Sequence, residues 1–539
     1  HRNIFILLYC KFCQIEGYVK LDAIIVGSGI NGLVAAVHLL SKGWKVAVYE
    51  AASLPGGAVK SGEYIEPGFL HDWAAMNLSL FAGSAFHQKY GEELAECGLE
   101  FASAAHCFAS VFPDGTWLGV SNDAAVNAAR ISKISENDAN TWRDLTDGFG
   151  KQAEAIFAIL GSPMGVGGLG KLFWSLLRKL KPTGLSDLGR FLMTSPRSWL
   201  DNTFENGKVK AMLAAWGMHL DFAPDTAGGA LFPYLEGMAN QAFGMALGKG
   251  GAQCLTDSLV ALIERKGGQV ICNSKVVEIL TEKGRARSIV LESGEEVQAK
   301  KAIIANLAPS GLARLTGDTG DETFDQKIAK YEHAPGTMMI HLALDGPLEW
   351  SAGKELQSFA YVHIAPSLDQ MAKTYTQAKA NLLPDEPVIV VGQPTAIDSS
   401  RAPDGRHVLW LQVRMVPGTI QGDAAGIITA TDWEIAKIEM AERAFDLIEA
   451  HAPGLRVKTI SSRVVGPNEL EADNANLVGG DQVCGSHHLS QHFLFRPMRG
   501  HADGSTPIKN LHLTGAAVWP GAGTGAGAGF LLAQKLAGK

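Results

Sequence analysis

The clearest pattern of apolar and polar positions lies in residues 21–57. Residues 23–27 form a short apolar run, which indicates a buried parallel strand. Residues 33–41 are rich in Leu and small side chains and predict a helix. Residues 45–49 predict a second strand, and Glu50 follows it directly. A strand, a glycine-rich turn, a helix and a strand in this order predict a Rossmann-type α/β unit.

The turn after the first strand has the spacing of a dinucleotide-binding loop, with Gly27, Ser28, Gly29 and Gly32 in the order GSGING. The first glycine permits a tight turn, the second lets a pyrophosphate approach the backbone, and the third lets helix and strand pack closely. The helix N-terminus offers free N–H groups to phosphates. Glu50, eighteen residues after the last glycine, can accept hydrogen bonds from both ribose hydroxyls and disfavours the 2′-phosphate of NADP.

FAD and NAD both remain open at this point, and two further segments bear on the choice. Gly56 and Gly57 follow the ribose acid, as in FAD-binding oxidoreductases related to glutathione reductase and in the flavin amine oxidases. Residues 510–516 predict a strand, residues 517–529 a glycine-rich turn, and residues 530–536 a final helix. This arrangement is a second place where backbone N–H groups can meet an electron-rich cofactor. We therefore predict FAD.

The remaining chain predicts a discontinuous architecture. Strands and helices alternate again over residues 248–305, while apolar runs at 338–344, 387–392 and 407–416 indicate a large second sheet. We predict an FAD-binding domain and a mixed α+β substrate domain, preceded by a peripheral extension. The predicted ranges are 20–80, 245–330 and 490–539 for the FAD-binding domain, 81–244 and 331–489 for the substrate domain, and 1–19 for the extension.

Composition narrows the classes of protein. The chain has 539 residues, of which 46% are hydrophobic and 19% charged, so it is globular and long enough for two or three domains. Its net charge of −8 gives no reason to expect a nucleic-acid partner. The 7 scattered Cys residues favour a reduced, cytoplasmic location, and Cys10 with Cys13 form an isolated CxxC that supports neither zinc nor redox chemistry. Residues 511–534 are uncharged but too rich in Gly, Ala and Thr to predict a membrane span.

Residues 171–197 form a basic amphipathic region, in which Lys and Arg residues alternate with apolar groups. Such a region can lie on a membrane surface. It is equally the pattern of an ordinary helical domain with a solvated basic face. The sequence leaves both interpretations open, with the second one favoured. The oligomeric state is not indicated.

The chain resembles the phytoene desaturase-like FAD-dependent oxidoreductases, the group of retinol saturase and the pyridine nucleotide-disulphide oxidoreductase domain-containing proteins. The resemblance covers most of the chain from residue 21 and depends on the order and spacing of four segments, at 27–57, 248–252, 273–309 and 495–523. It implies that Val276 contacts the adenine through its backbone and that the C-terminal turn lies near the isoalloxazine ring. The candidate cofactor residues of that turn are Gly515, Ala516, Pro520, Gly521, Gly523 and Thr524. The chain departs from relatives in having Ala517-Val518-Trp519 where Gly-Thr-His is frequent, and Ala526 for a glycine.

The chemistry expected of such a site is hydride transfer at flavin N5, with a base to take a proton. His71 and Asp72 follow the Gly pair closely and could reach the flavin, although Asp72 could instead cap a helix. His488 and Arg496 are the other candidates for catalysis. Arg496 either pairs with a structural acid or holds a substrate or flavin oxygen. His487, His488 and His492 would need a third kind of ligand to bind metal, and we predict no metal site.

Three functions are compatible with the sequence. The first is an FAD-dependent dehydrogenase, desaturase or saturase that moves hydride between a C–H bond of a small lipophilic substrate (at a C–C or C–N bond) and the flavin. The second is a flavin amine oxidase. The third is a non-enzymatic prenyl- or lipid-binding protein of the GDP-dissociation-inhibitor type, which the intact glycines and Glu50 argue against.

Overall fold

The computed structural model describes residues 21–523 and 525–539. The predicted extension at 1–19, the Cys10–Cys13 motif and the candidate residue Thr524 lie outside the described residues.

The described strands are, in chain order, β1 Leu21–Val26, β2 Val46–Tyr49, β3 Ser61–Gly62, β4 His71–Asp72, β5 Phe101–Ala104, β6 His106–Val111, β7 Trp117–Ser121, β8 Met245–Gly248, β9 Gln269–Ile271, β10 Val276–Glu282, β11 Arg285–Leu291, β12 Glu296–Asn306, β13 Gly336–Leu344, β14 Tyr361–Ile364, β15 Leu382–Leu383, β16 Val388–Gly392, β17 His407–Val416, β18 Gly422–Asp423, β19 Thr459–Val465 and β20 Leu511–Thr514.

The described α-helices are α1 Ile30–Ser41, α2 Ser79–Ala82, α3 Ala85–Glu96, α4 Ala124–Ser132, α5 Glu136–Leu160, α6 Val166–Met193, α7 Pro196–Thr203, α8 Gly207–Ala214, α9 Leu231–Phe243, α10 Gln253–Arg265, α11 Pro309–Thr316, α12 Glu322–Ala329, α13 Leu368–Lys379, α14 Trp433–His451, α15 Leu455–Lys458, α16 Pro467–Asp473 and α17 Gly527–Ala537. None of these helices is long and apolar enough to cross a membrane.

The first sheet is built around β1, whose residues Ala23, Ile24 and Ile25 are completely buried. Its parallel strands lie in the order β9, β2, β1, β12 and β20. The first half of β12 pairs antiparallel with β11, which forms a hairpin with β10. Helices α1, α10 and α17 bury their apolar residues against one face of β1 and β2. The predicted α/β unit is confirmed, with bounds shifted by one to three residues.

The C-terminal segment joins this sheet beside the glycine-rich loop. Strand β20 pairs with the end of β12, and helix α17 packs on α1. The contact is close: the backbone N–H of Gly529 donates to Oδ1 of Asn31 at 3.0 Å, and a Cβ at position 529 would overlap the Asn31 carbonyl. Strand β20 therefore borders the glycine-rich loop, although the two segments lie near opposite ends of the described chain. The predicted domain bounds themselves stay a prediction.

The second sheet has seven strands in the order β19, β13, β17, β16, β14, β6 and β7, antiparallel except between β14 and β6. Strand β13 is buried at all nine positions, as its continuous apolar run predicts. Helix α14 covers one face of the sheet. The helices of residues 124–243, chiefly α5, α8 and α9, pack on the other face.

The contact between α17 and α1 gives a stability prediction. Gly529→Ala places a methyl group against the Asn31 backbone, and such overpacking costs roughly 1–3 kcal/mol of unfolding free energy. Denaturant unfolding of the holoenzyme measures the change. Gly189→Ala in α6 is the matched control, since a Cβ at position 189 has no neighbour within 4 Å. Equal stability of both variants would contradict the close contact.

Candidate active site

A cleft of about 810 Å³ is lined by residues from both sheets. One end is formed by the glycine-rich loop, the end of β2 and the residues that follow β12 and β20. The other end, the inner end of the cleft, is formed by side chains of β14, β17 and α9. The cleft therefore runs from the predicted dinucleotide site into the predicted substrate domain.

Asn306 fixes the backbone of the glycine-rich loop. Its Nδ2 donates to the carbonyl oxygens of Gly27 and Gly29, at 3.2 and 3.1 Å. A Cβ at position 29 would lie 2.9 Å from the same nitrogen, and a Cβ at Gly32 would lie 2.5 Å from the Gly27 carbonyl oxygen. Gly27 also has a φ of +93°. The loop thus has room only for glycine at these positions, which leaves its backbone accessible to a ligand from the cleft.

Glu50 lines the cleft at the end of β2. Its Oε2 accepts hydrogen bonds from the backbone N–H of Ser28 at 2.7 Å and from the Ser28 hydroxyl at 2.6 Å. Its Oε1 accepts from the backbone N–H of Ala52 at 2.8 Å. These bonds hold the carboxylate at the loop, where a ribose of a bound dinucleotide is expected.

The structure brings most of the other predicted cofactor residues to the same cleft. Its lining includes Gly56, Gly57, Val276, Gly515, Ala516 and Gly523. Pro520 and Gly521 are not part of this lining, and a Cβ at position 521 would lie 2.8 Å from Nε2 of His487. Trp519, which stands where relatives often have His, is buried and stacks on Phe493 at 5.2 Å. Trp519 is not part of the cleft lining.

His71 and Asp72 do not face the cleft, contrary to the sequence prediction. Both are completely buried in the two-residue strand β4. The Asp72 carboxylate forms an ion pair with Arg401 at 2.5 Å and accepts a hydrogen bond from the backbone N–H of Ala252 at 2.7 Å, so both contacts stabilise the fold. His71 packs edge-to-face on His341, and burial lowers its pKa to about 3, which keeps it neutral.

Arg496 and His488 also lie outside the cleft. The Arg496 guanidinium is buried and donates to the carbonyl oxygens of residues 483–486 and of Ala516, so it pairs with backbone rather than with an acid. It supports the backbone behind Ala516, which does line the cleft. His488 lies 3.0 Å from the Tyr375 hydroxyl and 3.4 Å from the Asp221 carboxylate. His488 and His492 share no helical face, because only short 3-10 turns occur there.

The inner end of the cleft consists of side chains that sequence reasoning missed. Tyr361 and Trp410 stack with ring centroids 5.8 Å apart. The polar and charged members of this end are Glu236, Gln412 and Arg414. The sequence of β17 could have indicated these side chains, because Trp410, Gln412 and Arg414 alternate with Leu411 and Val413. A period of two places the first three on one face of the sheet and the apolar pair on the other.

Glu236 is a carboxyl group enclosed in this inner end. Its Oε2 accepts from Nδ2 of Asn240 at 3.2 Å, and no lysine or arginine in the described part of the chain forms an ion pair with it. Burial raises the pKa of Glu236 to about 7, because the charged form is poorly solvated there. The group can therefore bind or release a proton near neutral pH, as an acid or base of a reaction requires.

Fold and site together define a dinucleotide-dependent α/β oxidoreductase. The chain matches the family described as "Flavin containing amine oxidoreductase" over residues 30–444. It is 27% identical to pyridine nucleotide-disulfide oxidoreductase domain-containing protein 2 of Rattus norvegicus, over 94% of this chain and 92% of that protein. It is 24% identical to the neurosporene-forming phytoene desaturase of Rhodobacter capsulatus, over 95% and 93%.

Solved structures agree on the fold. A redesigned putrescine oxidase has a TM-score of 0.61 at 14% identity, with 96% of this chain and 98% of that chain covered. Cyclohexylamine oxidase of Brevibacterium oxydans has a TM-score of 0.54 at 15% identity, with 96% and 99% covered. The chain belongs to the flavin-containing amine oxidoreductase family and is an FAD-dependent enzyme.

The residues present fit FAD. The carboxylate of Glu50, the glycine cradle at Gly27 and Gly29, and the backbone of Val276 would hold its adenosine and pyrophosphate parts. Gly515 and Ala516 line the same cleft. When bound, FAD supplies the capacity to accept or return a hydride. The chain itself provides an enclosed space beside that site and, in Glu236, a group that titrates near neutral pH.

Glu50 gives a test of the cofactor site. We expect Glu50→Arg to lose most of its FAD, because the substitution removes the ribose acceptor and the Ser28 contacts. Flavin absorbance per protein measures occupancy. Glu264→Arg, an exposed position on α10, is the control and should stay fully yellow. Full occupancy of the Glu50 variant would mean that this carboxylate does not face the cofactor.

Glu236 gives a pH prediction. The unfolded carboxyl ionises near 4.5 and the folded one near 7, so the stability of the wild type falls as pH rises between these values. The loss is at most about 3 kcal/mol, from 1.36 kcal/mol per pKa unit. Unfolding free energies at pH 5 to 8 check this, with Glu236→Gln as the comparison. The variant should show a flatter profile, and identical slopes would contradict the raised pKa.

Proposed function

We propose that the enzyme transfers hydride between a C–H bond of a lipophilic substrate and FAD, as a dehydrogenase, desaturase or saturase. The observation that carries the proposal is the continuous cleft from the glycine-rich loop to the aromatic walls of Trp216, Tyr361 and Trp410. Burial of a long apolar chain contributes roughly 0.8 kcal/mol per CH₂, so such a substrate can bind largely through its body. The similarity to phytoene desaturases is consistent with this class.

An amine substrate is the second candidate. Glu236 favours it, because a carboxyl group among aromatic side chains is a suitable partner for an ammonium group. The structural neighbours are named as putrescine and cyclohexylamine oxidases. Their low identity supports the fold only.

We further propose that the FAD-binding domain is of the glutathione reductase-related kind and discontinuous, with the three ranges predicted from the sequence. The pairing of β12 with both β1 and β20 supports this division.

Anaerobic reduction of the bound flavin tests the proposed function. We expect bleaching of the visible flavin band when detergent-dispersed isoprenoids or long-chain alcohols are added, and none with putrescine or cyclohexylamine. Bleaching by the amines alone would favour the second candidate instead. Denatured protein should release an adenine dinucleotide in both cases, which separates a wrong substrate from an empty site.

We also propose a peripheral membrane contact through residues 171–197. On α6 the side chains of Phe173 and Trp174 are 51% and 60% exposed, and Arg178 and Lys181 are exposed further along the same segment. Apolar rings next to cations suit the boundary between acyl chains and anionic headgroups. Lys179 pairs with Glu154 and keeps a partly exposed ammonium group.

Vesicle co-sedimentation tests the membrane contact. We expect the wild type to bind vesicles that contain phosphatidylserine, and Arg178→Glu/Lys179→Glu/Lys181→Glu to bind about a hundredfold more weakly, since each of the three cations contributes about 1 kcal/mol. The matched control is Lys133→Glu/Lys327→Glu/Lys330→Glu, which changes the same charge elsewhere on the exposed surface. Absence of wild-type binding, or equal losses in both variants, would contradict the proposed surface.

A further inference from the structure

Arg414 is a buried cation in the inner end of the cleft. It lies on β17, is 5% exposed and belongs to the cleft lining. Its Nε and Nη2 donate to the Met218 carbonyl at 3.3 and 3.2 Å, and Nη2 also donates to the His219 carbonyl at 2.6 Å. Nη1 donates to the Thr337 hydroxyl at 2.9 Å. A guanidinium has five N–H groups, so one N–H of Nη1 has no partner within the described residues.

The charge of Arg414 is not balanced by an adjacent carboxylate. Every acceptor named above is neutral, and no ion pair forms with any carboxylate of residues 21–523 or 525–539. Asp481 and Asp221 act on it only from further away. Asp481 accepts the backbone N–H groups of Val483 and Gly485, and Asp221 accepts the hydroxyls of Tyr375 and Ser486, so both are occupied by other donors.

A buried cation without an ionic partner lowers the stability of the folded protein, so its presence needs an explanation. Removing a cation from water without an ionic partner carries a penalty of several kcal/mol. Burial lowers the pKa of Arg414 to about 10, so the guanidinium is still charged at neutral pH. Glu236 lines the same cleft but forms no ion pair with Arg414, and its own pKa of about 7 follows from burial.

The inner end of the cleft, which contains Arg414, has aromatic walls and has room for a ligand. On the same face of the sheet, Trp410 lies four residues before it and stacks on Tyr361. Trp216 lines the cleft as well and packs on His219 at 4.7 Å between centroids. A ligand that fills this end would contact aromatic walls along its body and the guanidinium at one point.

We propose that Arg414 is a specificity-determining residue that binds the carboxylate of an amphiphilic substrate, whose apolar body lies along the aromatic walls. This inference rests on the proposed lipophilic substrate and narrows its class to long-chain or polycyclic carboxylates. The remaining N–H of Nη1 can donate to one carboxylate oxygen while the other N–H groups keep the guanidinium in place, and the positive charge of the guanidinium attracts the anion.

Ligand binding to the holoenzyme tests the inference, with dodecanoate, dodecan-1-ol and dodecylamine as probes of equal length. Calorimetry and shifts of the flavin spectrum report binding. We expect wild type to prefer dodecanoate to dodecan-1-ol, and Arg414→Gln to lose 10- to 100-fold in affinity for dodecanoate with less than a threefold change for the alcohol. Arg463→Gln, an exposed arginine on β19, is the control and should match wild type.

The outcomes separate the two proposals. If none of the probes binds wild type, the lipophilic substrate and the role of Arg414 both fall. If dodecanoate and dodecan-1-ol bind equally to wild type, only the role of Arg414 is contradicted. If Arg414→Gln loses equal affinity for both probes, the residue supports the structure of the cleft and does not recognise the carboxylate. Tightest binding of dodecylamine would overturn the inference in favour of an amine.

Arg414→Lys keeps the test decisive if the glutamine variant loses its flavin or its fold. It retains the charge, but one ammonium group cannot bond Met218, His219 and Thr337 and still donate to the ligand, so dodecanoate should bind several-fold more weakly than to wild type while the alcohol is unaffected. Unchanged affinity for dodecanoate in this variant would contradict recognition by the guanidinium.

Discussion

The side-chain amide of Asn306 holds together the backbone on which the rest of the site depends. It donates to the carbonyl oxygens of Gly27 and Gly29 from the end of β12, and its Oδ1 lies 3.0 Å from where a Cβ of Gly515 would be. Three segments far apart in sequence therefore meet around one side chain. Their approach is possible because glycine removes the Cβ atoms that would otherwise separate them. The cofactor cradle is in this sense a packing contact between distant segments.

Three buried arginines show how the same charge serves different purposes. Arg401 is neutralised by Asp72 and Asp398 and also donates to a carbonyl of β8, so it ties several segments together. Arg496 is satisfied by a ring of backbone carbonyls and supports the C-terminal turn. Arg414 and Arg496 both lack an ionic partner, but of these three arginines only Arg414 lines the cleft. Burying a charge without an ionic partner is unfavourable, so stabilising contacts elsewhere in the fold must offset the cost of burying Arg414.

The sequence predicted the α/β unit and a dinucleotide site because each depends on local spacing, whereas the choice of FAD also needed the C-terminal turn. The glycines, Glu50 and the apolar runs lie within one βαβ unit, where physical constraints act between neighbours. The catalytic candidates His71, Asp72, His488 and Arg496 depended instead on which distant groups meet them. Asp72 meets Arg401, 329 residues away, which no local pattern reveals. Burial keeps His71 neutral, and the other three side chains are held by partners inside the fold.

The inner cleft could have been recognised only by reading β17 as a strand with two different faces. Leu411 and Val413 pack into the apolar core beneath α14, whereas Trp410, Gln412 and Arg414 face the cleft. A central strand buried on both sides is expected to be apolar at every position, as β13 nearly is. Polar residues at every second position of such a strand contradict that expectation unless one face meets a ligand or a cavity. The register of β17 therefore decides which chemistry the cleft presents, since a shift by one residue would turn Arg414 into the core.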